Sequence, residues 1–272
     1  METFTLEFVI FTDLDGTLLD RATYSYAKAL PTITHLLEKK APIVFCSAKT
    51  RAEQKWYQEK LRIRAPFIVE NGGAIFIPKD YFPFSFCFDK TEETYHVIEL
   101  GIPYHTIRQI LAVIKAGIGV NFQGYGDISV EEVASKTGLD IEGARRARDR
   151  EYSETLLIDE IPGETQKILS AIKEAGLNYT HGGSYYSVIG DNDKGKAVTI
   201  LQKLFCKKLG KIRTIGIGDS LNDLPMLSVV DLPLLLMNSK GSWEEMKIPN
   251  LRKVEGSGPE GWASAIREIT GN

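Results

Sequence analysis

Five short apolar runs punctuate this chain: FVIFTD at 8–13, APIVFCS at 41–47, PFIVE at 66–70, IRTIGIGD at 212–219 and, more weakly, VDLPLLLM at 230–237. They do not alternate between apolar and polar, so they do not read as strands with one wet face. Runs of this kind fit strands covered on both sides, as in a parallel sheet. Between and after them lie amphipathic stretches at 26–40, 50–61, 195–208, 222–229 and 259–270, which predict helices. Buried strands separated by amphipathic helices specify an α/β architecture. NGGAIFIP at 71–78 directly follows the third run and predicts a turn and a return strand.

The middle of the chain has a different texture. TYHVIEL at 94–100 alternates, Pro103 opens a helix to about Ala116, and SVEEVASKTG and DIEGARRARDREY predict two shorter helices. A strand TLLI, a helix at 163–175 and two strand-like pieces, LNYTHGG and YYSVIG, follow. This block predicts a separate α+β cap over 86–187, inserted into a core formed by 1–85 and 188–272.

Composition narrows the function. A net charge of −3 over 272 residues gives no electrostatic case for nucleic acid or an anionic membrane. Cys46, Cys87 and Cys206 have neither the spacing of a zinc site nor the number for a disulfide framework. The first apolar stretch is interrupted by Glu7 and leads straight into Asp13, so no signal peptide is expected, and no run approaches the roughly 18 apolar residues of a membrane span. A cytoplasmic protein is the expectation. Oligomeric state is not encoded in any pattern here.

Polar groups collect where the core strands end, the place where open α/β sheets bind ligands. Asp13 and Asp15 close the first run, Ser47 the second and Asp219 the fourth, with Asn222 and Asp223 in the next turn and Lys194 opening a helix. Carboxylates converging on one spot need a cation, and oxygen ligands without His or Cys indicate a hard ion, magnesium before others. Several of these residues also fit ordinary structure. Asn222 and Asp223 suit helix capping, Ser47 suits the N-cap of the helix near Thr50, and Asn71-Gly72-Gly73 suits a hairpin turn.

DLDGTLLD, Ser47 after its strand, DKGKAV and GDSLND resemble, in order and spacing, the four signatures of haloacid dehalogenase-like phosphatases. SAKTRAEQ, ENGGAIFIP, YGDISVEEVASKTGL, REYSET, HGGSYYS and GPEGW extend the likeness along nearly the whole chain to the mannosyl-3-phosphoglycerate phosphatase family. One position departs: Ser184 stands where many members carry arginine after HGG.

The resemblance implies a Rossmann-like parallel-sheet core with an inserted α+β cap. Asp13 would be the nucleophile, Asp15 the general acid and base, and Ser47 and Lys194 the phosphoryl contacts. Magnesium would be held by Asp13, the carbonyl of Asp15, Asp219 and Asp223. Lys49 and Arg51 lie close enough to Ser47 to meet a second anionic group. REYSET brings Arg150 and Glu151 forward as substrate contacts, with Asn71, Gly72 and His181 as further candidates. The substrate class implied is a small phosphorylated glycoside, mannosyl-3-phosphoglycerate first. The glucosyl analogue, a broad range of sugar phosphates, a phosphomutase reaction and a non-catalytic binding module are the alternatives.

Overall fold

The computed structural model describes residues 7–158, 161–182 and 185–271; Ser184 lies outside the described residues. The first apolar run forms β1 (Glu7–Thr12), followed by α1 (Leu30–Glu38), β2 (Ile43–Phe45), α2 (Arg51–Leu61), β3 (Phe67–Val69) and β4 (Ala74–Pro78). Two strands follow, β5 (Lys90–Glu92) and β6 (Tyr95–Glu99). The next block holds α3 (Tyr104–Ile118), β7 (Gln123–Gly124), α4 (Val130–Thr137), α5 (Ile141–Arg148), β8 (Glu154–Leu157), α6 (Pro162–Glu174), β9 (Asn178–Gly182) and β10 (Tyr185–Ile189). The chain then returns through α7 (Lys194–Leu209), β11 (Ile212–Gly218), α8 (Leu224–Leu227), β12 (Leu232–Met237), β13 (Arg252–Ser257) and α9 (Gly258–Thr270).

Among the described residues the core sheet runs β13-β12-β11-β1-β2, all parallel. β1 lies between β11 and β2, with Phe11 opposite Gly216 and Val44. Val9, Ile10 and Phe11 are fully buried, which accounts for their unbroken apolarity. A parallel bridge between Cys46 and Ile68 carries the sheet on to β3, which turns back antiparallel into β4. The strand β13 had no apolar signature: its side chains alternate between exposed and half-buried at the sheet's edge.

The cap has its own antiparallel sheet, β7-β8-β10-β9, and its own apolar core of Ile107, Leu111, Leu156, Ile172 and Val188. The expected boundary at 85/86 differs from the pairing observed. β5 and β6 hydrogen-bond into the β3-β4 sheet, with Ile75 opposite Ile98, so TYHVIEL extends the core hairpin and not the cap. The crossover into the cap therefore comes near 100–103, and the return near 190–193. Two other elements are shorter than expected: Pro31 sets the start of α1, and α5 stops at Arg148, leaving Arg150 and Tyr152 outside its helical faces.

Cap and core meet through specific bonds. The Tyr24 hydroxyl donates to the carbonyl of Thr137 at 2.8 Å, and the Thr50 hydroxyl donates to that of Arg146 at 2.8 Å. No helix among the described residues is long and apolar enough to cross a membrane.

Candidate active site

Asp13 sits one residue beyond β1, where the strand's ladder continues as its amide donates to the carbonyl of Ile217 at 2.9 Å. Behind it, the indole N–H of the fully buried Trp262 donates to Thr12 Oγ1 at 3.0 Å, and that hydroxyl donates to the Asp13 carbonyl at 2.8 Å. The amide of Gly258 also reaches the carbonyl of Gly16 at 3.1 Å. The GPEGW segment thus braces the turn that bears both aspartates. Gly16 has φ +83°, a conformation open to glycine at little cost.

Lys194 Nζ donates to Asp13 Oδ1 and Asp223 Oδ1, each at 2.6 Å, and is fully buried. Burial pulls its pKa down, but Asp13 and Asp223 outweigh this and hold it charged. Carboxylate oxygens of Asp13, Asp219 and Asp223 come within 4.8 Å of one another, all three residues buried. Burial pushes the carboxyls of Asp219 and Asp223 upward, and mutual repulsion with the other acids of the cluster adds to it. Donors there are carboxylate oxygens without nitrogen or sulfur, and the negative charge is only partly matched. This is the donor set and field a hard divalent ion requires. Asp223 Oδ2 meanwhile accepts from the amides of Asp219 and Ser220 at 3.0 and 3.1 Å, so that carboxylate is fixed on both oxygens.

Asp15 projects into a cavity of about 250 Å³ between core and cap. Its Oδ2 pairs with Lys49 at 3.0 Å, while Oδ1 is buried without a hydrogen-bond partner. Its pKa is raised, by burial first and also by Asp13 and Glu53, against the opposing pull of Lys49. Lys49 is itself buried and also pairs with Glu53 at 3.0 Å.

Ser47 lines the same cavity and is not the helix cap. Thr50 caps α2, in a reciprocal box with Glu53, which leaves Ser47 free of that duty. Asn222 does not bond Asp223: it accepts from Ser220 Oγ at 2.6 Å and donates to Asn71 Oδ1 at 3.3 Å.

Several expected substrate contacts have other engagements. Arg51 pairs with Glu92 at 2.6 Å and Glu151 at 2.9 Å, and neither Arg51 nor Glu151 lines the cavity. A Cβ on Gly72 would lie 2.1 Å from the Asp193 carbonyl, so that glycine serves close backbone packing against the start of α7. The Asn71 backbone N–H donates to the Ser47 carbonyl and its carbonyl accepts from Asn192, while its side-chain Nδ2 is buried without a partner, outside the cavity wall. His181 packs against Tyr186, with Nε2 buried and unpartnered outside the cavity wall.

Arg150 does reach the wall, but its donors go to the Ser153 carbonyl and hydroxyl, the Ala147 carbonyl and the Ala48 carbonyl. Sequence reasoning missed its partner, Glu70. That buried acid accepts from the Glu151 and Tyr152 amides and from Ser153 Oγ, with Arg150 Nε 3.7 Å away. A charged residue closing the apolar run PFIVE was the available signal. Arg21 and Tyr24, also in the cavity wall, belong to no motif that marks them, and Lys136 lies within YGDISVEEVASKTGL without having been singled out.

A family model for haloacid dehalogenase-like hydrolases matches residues 10–245. A glucosyl-3-phosphoglycerate/mannosyl-3-phosphoglycerate phosphatase of Methanococcoides burtonii is 45% identical over 267 residues, covering 98% of each chain. A mannosyl-3-phosphoglycerate phosphatase of Pyrococcus horikoshii is 40% identical over 246 residues, 90% of this chain and 96% of that one. The chain belongs to the mannosyl-3-phosphoglycerate phosphatase family of haloacid dehalogenase-like hydrolases. As a member of that family it is a phosphoric monoester hydrolase. The fold agrees: a solved structure from Thermoplasma acidophilum superposes with a TM-score of 0.69 at 17% identity, over 97% of this chain and 99% of that one.

Proposed function

We propose that this phosphatase hydrolyses mannosyl-3-phosphoglycerate to mannosylglycerate and phosphate, through an aspartyl phosphate on Asp13 and with magnesium as its cofactor. The observation that carries the reading is the pairing of unlike carboxylates at the cavity floor. Asp13 is clamped by the Lys194 ammonium, whereas Asp15 has a raised pKa and an unpartnered buried Oδ1. One is paired with a buried cation where attack would occur; the other is suited to carry a proton.

A carboxylate oxygen of Asp13 forms a bond to phosphorus as the bond to the glycerate oxygen breaks. Asp15 gives its proton to that leaving oxygen. It then removes a proton from water, which attacks the aspartyl phosphate and frees phosphate and Asp13. Lys194 supplies fixed positive charge beside Asp13 where phosphoryl charge gathers, and Ser47 offers its hydroxyl to a phosphoryl oxygen. Asp13, Asp219 and the carbonyl of Asp15 would hold the ion, with Asp223 fixing the cluster's charge beside them. When bound, magnesium offsets repulsion between an anionic nucleophile and an anionic ester.

The glucosyl ester is the second substrate we infer, because relatives at 45% and 38% identity carry both sugars in their names. Phosphate release should be compared across mannosyl-3-phosphoglycerate, glucosyl-3-phosphoglycerate and mannose 6-phosphate, with chelator-treated enzyme given magnesium or none. Either glycosyl-phosphoglycerate should lead by at least tenfold in kcat/KM, about 1.4 kcal/mol. A preference for mannose 6-phosphate overturns the substrate, and full activity in the treated enzyme without magnesium overturns the cofactor.

A further inference from the structure

Arg21 stands on the turn after β1, and its Nη2 donates to two oxygens at once: the Asp15 carbonyl at 2.9 Å and Asp219 Oδ2 at 2.8 Å. The other oxygen of Asp219 accepts from Thr17 Oγ1 at 3.3 Å. A Cβ on Gly16 would lie 2.5 Å from both Arg21 Nη2 and Asp219 Oδ2, so the guanidinium passes through space that only glycine leaves. Asp13 and Asp15 also lie close enough to act on its charge.

The Asp15 carbonyl and the Asp219 carboxylate are also the groups assigned above to the divalent ion. Guanidinium and ion therefore compete for the same groups. At such spacing, in a site screened from water, their positive charges repel strongly. The two cations of the cluster differ in their freedom to yield. Lys194 is sealed in, whereas the Arg21 side chain is 30% exposed and lines the cavity.

We propose that Arg21 is the resident counter-cation of the carboxylate cluster, exchanged for the divalent ion on loading. The exchange passes its guanidinium to the cavity, where it meets the substrate's second anionic group. Metal loading then prepares the carboxylate site as well as the phosphate site. The inference rests on the reading of the site given under Proposed function.

Magnesium affinity of the full chain, measured by isothermal titration calorimetry without substrate, separates this from a structural role. Arg21→Met removes the competitor and should bind magnesium about tenfold more tightly than wild type, about 1.4 kcal/mol. An arginine that merely braced the ligands would weaken binding when lost. In wild type labelled with ¹⁵N-arginine, one side-chain Nε resonance should move on adding magnesium, and that resonance should be absent from Arg21→Lys. With glycosyl-phosphoglycerate, KM should rise about tenfold in Arg21→Met, while KM for acetyl phosphate, which has no second anionic group, stays.

Unchanged or weaker magnesium binding in Arg21→Met overturns the exchange. If circular dichroism shows that this variant does not fold, Arg21→Gln decides, since it keeps a polar donor but carries no charge to oppose the ion: tighter binding supports the exchange and weaker or equal binding overturns it. No magnesium uptake by wild type sinks the metal reading and this inference together. Tighter binding with equal KM changes on both substrates overturns only the transfer to the cavity.

Discussion

Two knots of buried charge differ in how fully their oxygens are used. Where residues 150–153 meet the end of β3, Glu70 accepts three hydrogen bonds from Glu151, Tyr152 and Ser153, and Arg150 spends its donors on neighbouring carbonyls and a hydroxyl. At the cavity floor, Asp13, Asp219 and Asp223 crowd together with incomplete compensation, and Asp15 keeps one oxygen bare. Burial is similar, yet one arrangement is closed and the other is held ready for groups that come from outside. A saturated network specifies geometry, whereas an unsaturated one stores affinity for ligand.

The sharpest separation of the two knots comes from Asp13→Asn. Turnover should fall by about 10⁴-fold, about 5.4 kcal/mol of barrier, in single-turnover phosphate release. The melting temperature should not fall, because one of several repelling carboxylates is neutralised while Lys194 keeps Asp223. A large loss of stability would place Asp13 with the structural knot.

Arg150→Ala should do the reverse. It leaves Glu70 buried without its cation, at a cost of about 3–5 kcal/mol in denaturant unfolding. The sequence alone suggested selective loss of glycosyl-phosphoglycerate hydrolysis. The bonded guanidinium instead predicts equal losses on that ester and on p-nitrophenyl phosphate. A loss confined to the natural ester would return Arg150 to the substrate site.

Lys49→Met addresses the group that bridges phosphate loop and acid. Lys49 lowers the pKa of Asp15, so its removal raises that pKa further. On the proposed mechanism Asp15 donates while protonated, so the alkaline limb of kcat should move up. A downward movement would contradict the acid role.

The smallest effect concerns Glu151, whose carboxyl is pushed up to about 7 by burial, with Glu70 and Glu92 adding to it and Arg51 opposing. Between pH 4.5 and about 7 the folded state binds the proton more tightly than the unfolded chain does, so this residue's contribution falls as pH rises through that window. Glu151→Gln should flatten that slope by about 1 kcal/mol in chelator-treated protein, after allowance for partial exposure. An unaltered slope would show that the carboxyl is not perturbed.

The readable parts of this chain were those governed by local pattern. Val9-Ile10-Phe11 announced a strand buried on both faces, and the amphipathic stretch at 50–61 announced α2, although its cap proved to be Thr50 and not Ser47. Asp13, Asp15, Lys194 and Asp219 could be grouped from the sequence because they stand at the ends of such elements in the order that the family motifs keep. What escaped depended on partners distant in sequence. β6 alternates like any half-exposed strand, and only its pairing with β4 assigns it to the core. Arg51 and Arg150 were equally plausible anion contacts until Glu92, Glu151 and the Ala48 carbonyl were seen to occupy them. Arg21 has no motif at all, since what gives it meaning is Asp219, 198 positions further on.

The brace from Trp262 to Thr12 has a consequence for how the enzyme is made. β1 emerges early in synthesis, yet its partner β11 begins only at Ile212, and the indole that fixes its carboxyl end comes later still. Pairings this remote along the chain form slowly and late. The turn that bears Asp13 and Asp15 therefore lacks its brace until β11 and α9 have both been made. A truncated product that keeps Asp13, Asp15, Asp219 and Asp223 but lacks α9 should be inert in phosphate release.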